Sequence, residues 1–242
     1  MAMRPEAPGK GTPTTDRVKH IFSTIAPEYD RFNKLSSLGI DRSWRRRTVK
    51  LARLRRTTEV LDLAAGTGDL TMALATQGAP ARILSTDFVP EMLEVGREKA
   101  ASYEGETRIE FQVVDAQDLP FADESFDVVT IAFGVRNLPD RAANFREVHR
   151  VLKSGGRYEI LEFSRPPFGL FRALYHFYLR TVIPFLGGRL TGERESFVYL
   201  NESILQFPGQ VALAGELHRV GFSEVRWHNL TFGIVAVHVA VK

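Results

Sequence analysis

Five polar residues sit where chemistry is expected, each in or just beyond a short apolar run: Asp62, Asp87, Asp115, Arg136 and Asn137. The first belongs to Val60-Leu61-Asp62-Leu63-Ala64-Ala65-Gly66-Thr67-Gly68, a buried-strand pattern running into a turn that only small residues make. A strand that opens through Gly66-Thr67-Gly68 onto a helix start at Asp69 lets backbone N–H groups approach a ligand closely. Such a turn binds a nucleotide or nucleoside at the carboxyl end of a parallel sheet. Asp87 stands 21 residues after Gly66 and ends the next apolar run, where it can accept hydrogen bonds from both hydroxyls of a ribose. Asp115 ends the third run. Its carboxylate can accept from an adenine amino group while the Ala116 backbone N–H meets a ring nitrogen; the alternative is that Asp115 caps its own turn. Asp62 lies in mid-strand, and a buried carboxylate must be hydrogen-bonded. It either organises the glycine turn or contacts the ligand, whereas Thr67, inside the turn, stands beside it. Arg136 and Asn137 follow the fourth run, at the sheet end that faces substrate in such folds. They are either the reacting groups or a surface Arg and a turn Asn.

The elements that must hold these residues follow a regular rhythm. Strands are predicted over residues 60–65, 82–87, 109–114, 127–133 and 157–163, with helices over 69–76, 90–103 and 141–152 between them. Pro90 pre-sets the first turn of its helix, and Lys153-Ser154-Gly155-Gly156 reads as a helix stop and turn. The repeating βαβ pattern implies a parallel sheet with right-handed crossovers. Upstream, Val18, Ile21, Phe22 and Ile25 have helical spacing that Pro27 stops, and residues 42–54 read as a helix with Trp44, Leu51 and Leu54 on its apolar side. After Phe163 the rhythm breaks at Arg165-Pro166-Pro167. Residues 168–190 are unusually aromatic. A helix then follows Pro208 and ends at Gly221. Two last strands, 224–230 and 234–241, joined by Thr231-Phe232-Gly233, make an antiparallel hairpin.

A dinucleotide fingerprint needs a third glycine, and Thr71 occupies that position. The Ala64-Ala65-Gly66-Thr67-Gly68 turn, with Asp62 four residues before the first glycine, resembles instead the turn of S-adenosylmethionine (SAM) methyltransferases. The expected fold is therefore α/β: a Class I SAM-dependent methyltransferase, Rossmann-like, with a mostly parallel seven-stranded sheet closed by a terminal antiparallel hairpin strand. Residues 1–15, rich in Pro, Gly and Thr, are expected to form a flexible tail. Residues 16–242 are expected to form one domain, with an N-terminal helical cap over 16–56 and an aromatic-rich lid insert over 165–207.

Composition narrows the class further. With no cysteine among 242 residues, disulfides and thiolate metal sites are excluded. No run of about 18 apolar residues suggests a spanning helix, and no apolar leader stands at the N-terminus. A cytoplasmic protein is expected, peripheral at the inner face of the cell membrane if the aromatic segment meets lipid. The net charge is only +3, yet residues 42–56 hold eight Lys or Arg and no acid. That cluster can meet lipid head groups, meet nucleic acid phosphates, or form a solvated helix face. Nucleic acid is disfavoured, since no aromatic RNA-stacking signature accompanies it. The six His are scattered and no metal is expected.

Five segments resemble the UbiE/MenG family of quinone C-methyltransferases. They are Tyr29-Asp30-Arg31-Phe32-Asn33 through Leu38-Gly39-Ile40 to Trp44; the glycine turn; Phe133-Gly134-Val135-Arg136-Asn137; Arg150-Val151-Leu152-Lys153-Ser154-Gly155-Gly156-Arg157 with Leu161-Glu162-Phe163-Ser164; and Tyr199-Leu200-Asn201-Glu202-Ser203-Ile204 with Phe207-Pro208, Gly221-Phe222 and Asn229-Leu230-Thr231. The first, third and fifth are specific to that family. Phe32 departs from a usual Met, Asp41 from a usual His and Ser154 from a common Pro, and Val239-Ala240-Val241 differs from the usual ending.

The resemblance implies methyl transfer from SAM to a ring carbon of a prenylated quinol, demethylmenaquinol or the 2-methoxy-6-polyprenyl-1,4-benzoquinol of ubiquinone synthesis. An aromatic carbon is a poor nucleophile until a neighbouring hydroxyl ionises. The site must therefore favour the phenolate, hold the ring carbon in line with the methyl at ~3–3.5 Å, and exclude water. Arg136 then acts as a fixed positive charge that stabilises the oxyanion. Asn137 and Tyr29 orient a water that removes the proton, with Asp30 as a further base candidate. The aromatic segment with Arg172, Arg180 and Arg189 becomes a lid over the substrate, a helix at an anionic membrane surface, or a packing insert. Two other readings, an RNA methyltransferase and a SAM-binding regulator without chemistry, fit less of the chain.

Overall fold

A computed structural model describes residues 15–183, 185, 188–189 and 194–242. The tail expected over 1–15 lies outside these, except for Thr15, which begins the first helix. That helix, α1 (Thr15–Ile25), passes through a 3-10 turn at Ala26–Glu28 into α2 (Tyr29–Ser36). Pro27 does not end the helical path, because it sits in the first turn of the 3-10 segment, where no N–H is needed. α3 (Asp41–Ala52) follows and ends where Arg53 adopts a left-handed φ of 51°.

The alternating section runs β1 (Glu59–Leu63), α4 (Asp69–Gly78), β2 (Arg82–Asp87), α5 (Pro90–Ala100), β3 (Arg108–Val113), β4 (Phe126–Ala132), α6 (Arg141–Val151) and β5 (Leu152–Phe163). Then come α7 (Gly169–Phe177), a π-helical continuation at Tyr178–Val182, α8 (Arg194–Gln206), α9 (Gln210–Val220), β6 (Glu224–Leu230) and β7 (Val235–Val241). The seven strands form one sheet in the order β3-β2-β1-β4-β5-β7-β6, in which β7 runs against β5 and β6. The order reverses between β1 and β4, so the carboxyl ends of β1, β2 and β4 open a crevice there.

Two further expectations are corrected. β1 stops at Leu63 because Ala64 already takes a φ of 46° and begins the turn. Residues 153–156 are not a turn between helix and strand: β5 begins at Leu152 and carries an irregularity opposite Phe126 and Val128, with Gly155 at a φ of 73°. Helices α2, of 8 residues, and α8, of 13, were not foreseen.

Two layers bury the sheet. On one face Phe145 and Val148 of α6 and Leu213 and Leu217 of α9 pack on Val129, Ile131, Tyr158 and Ile160. On the other, Val49 and Ala52 of α3 and Leu70 and Leu74 of α4 cover Val60, Ile83 and Val128. Glu159 of β5 is 0% exposed and neither of its carboxyl oxygens has a partner. Burial pushes its pKa well above the usual carboxylate range, which favours the neutral form. A carboxyl raised in the folded state contributes stability that is full below its unfolded pKa and is lost as pH rises toward the folded one. Glu159→Gln should therefore gain stability over wild type between pH 5 and pH 8, by up to about 1.4 kcal/mol per pH unit. Urea unfolding at both pH values checks this; a difference between the two proteins that does not grow with pH would refute it.

Candidate active site

The crevice holds a cavity lined from four strand ends: Asp62 through Thr67 except Leu63, then Asp87–Val89, Val114–Gln117 and Ala132–Gly134. At its base, Gly66 and Gly68 take φ values of 57° and 77°, which the turn requires. Gly134 answers a different need: a Cβ there would stand 2.7 Å from the Ala64 Cβ, so the ends of β1 and β4 could not approach.

Asp87 organises the turn. Its Oδ2 accepts the Gly66 N–H at 2.8 Å and its Oδ1 the Val89 N–H at 2.9 Å. Each oxygen keeps a second lone pair, so two hydroxyl donors can still be accepted. Burial pushes this carboxyl up to about 6, opposed by those N–H groups. Asp62 is fully buried, and its oxygens accept the hydroxyls of Thr130 at 2.6 Å and Thr71 at 2.7 Å. These bonds tie the first turn of α4 to β1 and β4, the organising role of the two open readings, although Asp62 also borders the cavity. Burial raises its pKa to about 6 as well, against both hydroxyls.

Asp115 takes the turn-capping geometry, accepting the Gln117 N–H at 2.8 Å, while it and Ala116 still line the cavity. Gly68 does not line it; it caps α4 from the turn's far side. The Thr67 hydroxyl donates to Asp30 Oδ1 at 2.6 Å. Asp30 is thereby occupied, since Lys99 Nζ lies 2.5 Å from its Oδ2, and it lines neither cavity, which removes it as a base candidate.

A second, apolar cavity of about 380 Å³ adjoins the first. Tyr29, Arg45 and Phe133 line both. Trp44, Phe133 and Phe163 form an aromatic wall, with ring centroids 4.9 Å apart for the two Phe and 6.1 Å for Trp44 and Phe133. Trp44 is oriented by its Nε1, which donates to Thr231 Oγ1 at 2.8 Å. The α7 segment and α8 close the far side through Tyr175, Leu179 and Ile204. Tyr178 donates its hydroxyl to the Ser36 carbonyl at 2.9 Å and so joins this insert to the N-terminal helices. Phe133 itself holds a φ of 57°, which costs on the order of 1–3 kcal/mol for a non-glycine residue.

Arg136 lines the apolar cavity but is not the isolated cation expected. Its Nη1 donates to Glu162 Oε1 at 2.8 Å and to the Phe133 carbonyl at 2.5 Å, and both side chains of the ion pair are at most 2% exposed. The guanidinium also stands over the Phe163 ring at 5.3 Å, and its Nε has no partner. Burial pushes the Glu162 carboxyl up, and Arg136 opposes this. Asn137 borders the glycine-turn cavity and not the apolar one. Its amide donates to the Phe133 carbonyl at 3.4 Å and accepts from the Tyr199 hydroxyl at 3.4 Å. Tyr29, where the cavities meet, has its pKa raised by burial, with Arg136 as the main opposing influence.

Two residues carry more of the site than their sequence context announced. Glu162 stands in one of the segments of family resemblance, but as a residue it shows only as a carboxylate inside an apolar strand. Arg45 was one of eight cations in the basic cluster, yet it turns inward: it pairs with Asp41, and its Nη2 lies 3.3 Å from Asp69 Oδ2. Asp69 in turn meets Lys99 at 2.7 Å. This chain of charges clamps the N-terminal helices to the glycine turn. Arg42, Arg46, Arg47 and Lys50, the rest of that cluster on α3, are exposed.

The family model of the ubiE/COQ5 methyltransferase family matches residues 11–242. The chain is 44% identical over 234 residues to a ubiquinone/menaquinone biosynthesis C-methyltransferase UbiE of Geotalea daltonii, covering 96% of this chain and 99% of that protein. It is 46% identical over 219 residues to a demethylmenaquinone methyltransferase of Thermus thermophilus, covering 90% and 98%. Among solved structures it is similar to a SAM-dependent methyltransferase of Thermotoga maritima, with a TM-score of 0.65 at 20% identity over 92% of this chain and 98% of that one. That last likeness is one of fold.

Proposed function

The chain belongs to the ubiE/COQ5 methyltransferase family, and from this premise we propose that it transfers a methyl group from SAM to the ring carbon of demethylmenaquinol, yielding menaquinol. As a UbiE-type enzyme it is a SAM-dependent C-methyltransferase of quinone biosynthesis. The observation that carries the finer reading is the junction of two unlike cavities. One is built from carboxylates and a glycine turn; the other is aromatic, apolar and touched by two buried ion pairs, Arg136 with Glu162 and Arg45 with Asp41.

The first cavity fits SAM by the chemistry of its donor set. Asp87 has lone pairs left for ribose hydroxyls, Asp115 and the Ala116 backbone border the place of an adenine, and the turn leaves room for backbone approach. When bound, SAM supplies an electrophilic methyl. The chain's own residues then have three tasks. Trp44, Phe133 and Phe163 hold a flat ring by its faces. Arg136, fixed by Glu162 and the Phe133 carbonyl, stabilises negative charge on the neighbouring ring oxygen. A fixed ion pair does this without reorganising, and Glu162 is the price of keeping a guanidinium in so dry a place. Tyr29 orients the water that takes the proton, from its position where the cavities meet.

Two substrates remain to be set apart. The Geotalea relative is named for both quinone pathways, which favours a second reading: methylation of 2-methoxy-6-polyprenyl-1,4-benzoquinol. Purified protein incubated with labelled SAM and each quinol in turn decides. Methylated menaquinol is the expected product. Turnover of the benzoquinol alone would replace the first reading by the second, and SAM binding without turnover of either would remove both.

A further inference from the structure

Helix α7 is apolar on two faces. The inner one, with Phe171 and Tyr175, closes the apolar cavity. The outer one carries Leu170, Leu174 and Phe177, spaced i, i+4, i+7, and these are 80%, 60% and 64% exposed. A helix in contact with water alone puts polar residues on that face. Leu174 also lines the cavity, as does Leu38, which is 82% exposed, so these two stand on its open rim. Phe232, 71% exposed, extends the rim by packing on Phe171 at 5.5 Å.

Charge borders this surface with one sign only. Residues 164–192 contain four Arg and no acid. Arg172, His176 and Arg180, four residues apart, form a stripe beside the exposed apolar one. Arg165, Arg172 and Arg180 gather about His176, whose pKa is lowered by burial first and then by these three cations. Among the described residues no helix is long and apolar enough to cross a membrane.

We propose that this face docks on an anionic lipid bilayer and presents the mouth of the apolar cavity to it. Exposed Leu and Phe enter the interfacial region while the Arg stripe meets head-group phosphates, the division of labour of an interfacial amphipathic helix. Charge complementarity selects this occupant over a second copy of the chain, which would bring four Arg against four. The docked orientation lets a prenyl tail pass from bilayer to cavity without crossing water. This inference rests on the quinol reading for what enters the cavity, but the surface itself can be tested apart from it.

The test is cosedimentation of the full chain with vesicles of phosphatidylcholine alone or mixed with phosphatidylglycerol, beside turnover of a short-tailed, water-soluble quinol. Wild type should bind the anionic vesicles at least about tenfold better than the neutral ones, and lose that binding in high salt. Arg172→Glu with Arg180→Glu, and separately Leu170→Ser with Phe177→Ser, should each cut binding about fivefold or more, with melting temperature and soluble-quinol turnover unchanged. Wild type that stays in the supernatant, or double variants that bind as wild type does, would overturn the docking face. So would a dimer, seen by ultracentrifugation, that Phe177→Ser dissolves while vesicles remain unbound. Vesicle binding with no methylation of soluble quinol would instead strike the catalytic reading and leave the surface standing.

Discussion

Arg136→Gln should keep SAM affinity within about threefold of wild type while turnover of the quinol falls about 10²–10³-fold. The split follows from placement, since Arg136 lines the apolar cavity and not the one built on the glycine turn. Breaking a buried ion pair costs about 3–5 kcal/mol when the remaining charge is left unpaired. Glu162 has a way to limit that cost. Burial already pushes its carboxyl up, and without Arg136 opposing, the neutral form is favoured further. The variant should therefore fold, with reduced stability that recovers at mildly acidic pH. Pairing the change with Glu162→Gln removes the orphaned carboxyl and should restore stability across the pH range without restoring turnover. Recovery of kcat in the double variant would mean that Arg136 serves only to neutralise Glu162. Isothermal titration, urea unfolding and single-turnover kinetics on the three proteins separate these outcomes.

Asp87→Ala should raise the Kd for SAM about 10²-fold, on the scale of two lost hydrogen bonds to a charged acceptor. Two losses combine. The ribose hydroxyls lose their acceptor, and the Gly66 and Val89 N–H groups lose theirs, which loosens the turn. The same carboxyl predicts a pH dependence. Its pKa in the free protein is pushed up to about 6 by burial, and the ionised form accepts hydroxyl donors better. SAM affinity should thus be constant above about pH 7 and weaken, approaching tenfold per unit, as pH falls below 6. Asp62 titrates over the same range, but its oxygens are held by Thr71 and Thr130, so Asp87→Ala should flatten the profile even though Asp62 is intact. A profile that keeps its slope in Asp87→Ala would assign the effect to Asp62. Titration calorimetry with SAM between pH 5 and pH 8 supplies the measurement.

The glycine-turn half of the site was legible because its logic is local. Gly66, Asp87 and Asp115 each stand at a strand end whose position periodicity reveals, and a parallel sheet brings consecutive strand ends together. Elements were foreseen where the pattern was strong: β2 matches residue for residue, and β1 and β4 miss their ends by one or two because Ala64 and Phe133 turn left-handed without being glycine. Helices α2 and α8 escaped because their apolar residues pack on other helices, Tyr29 and Tyr199 against α1 and Ile204 against Tyr175 of α7, so no sheet face sets their pattern.

The amino-acid sequence alone determined the βαβ order, the antiparallel finish, the glycine turn and the kinship to a methyltransferase family, since strand period, turn chemistry and motif spacing are properties of neighbours along the chain. Only the tertiary structure decided what Arg136 and Arg45 do. Their partners, Glu162 at 26 residues' remove and Asp69 on another helix, are chosen by burial: a guanidinium withdrawn from water takes whichever carboxylate the fold places within reach, and that choice is written in three dimensions.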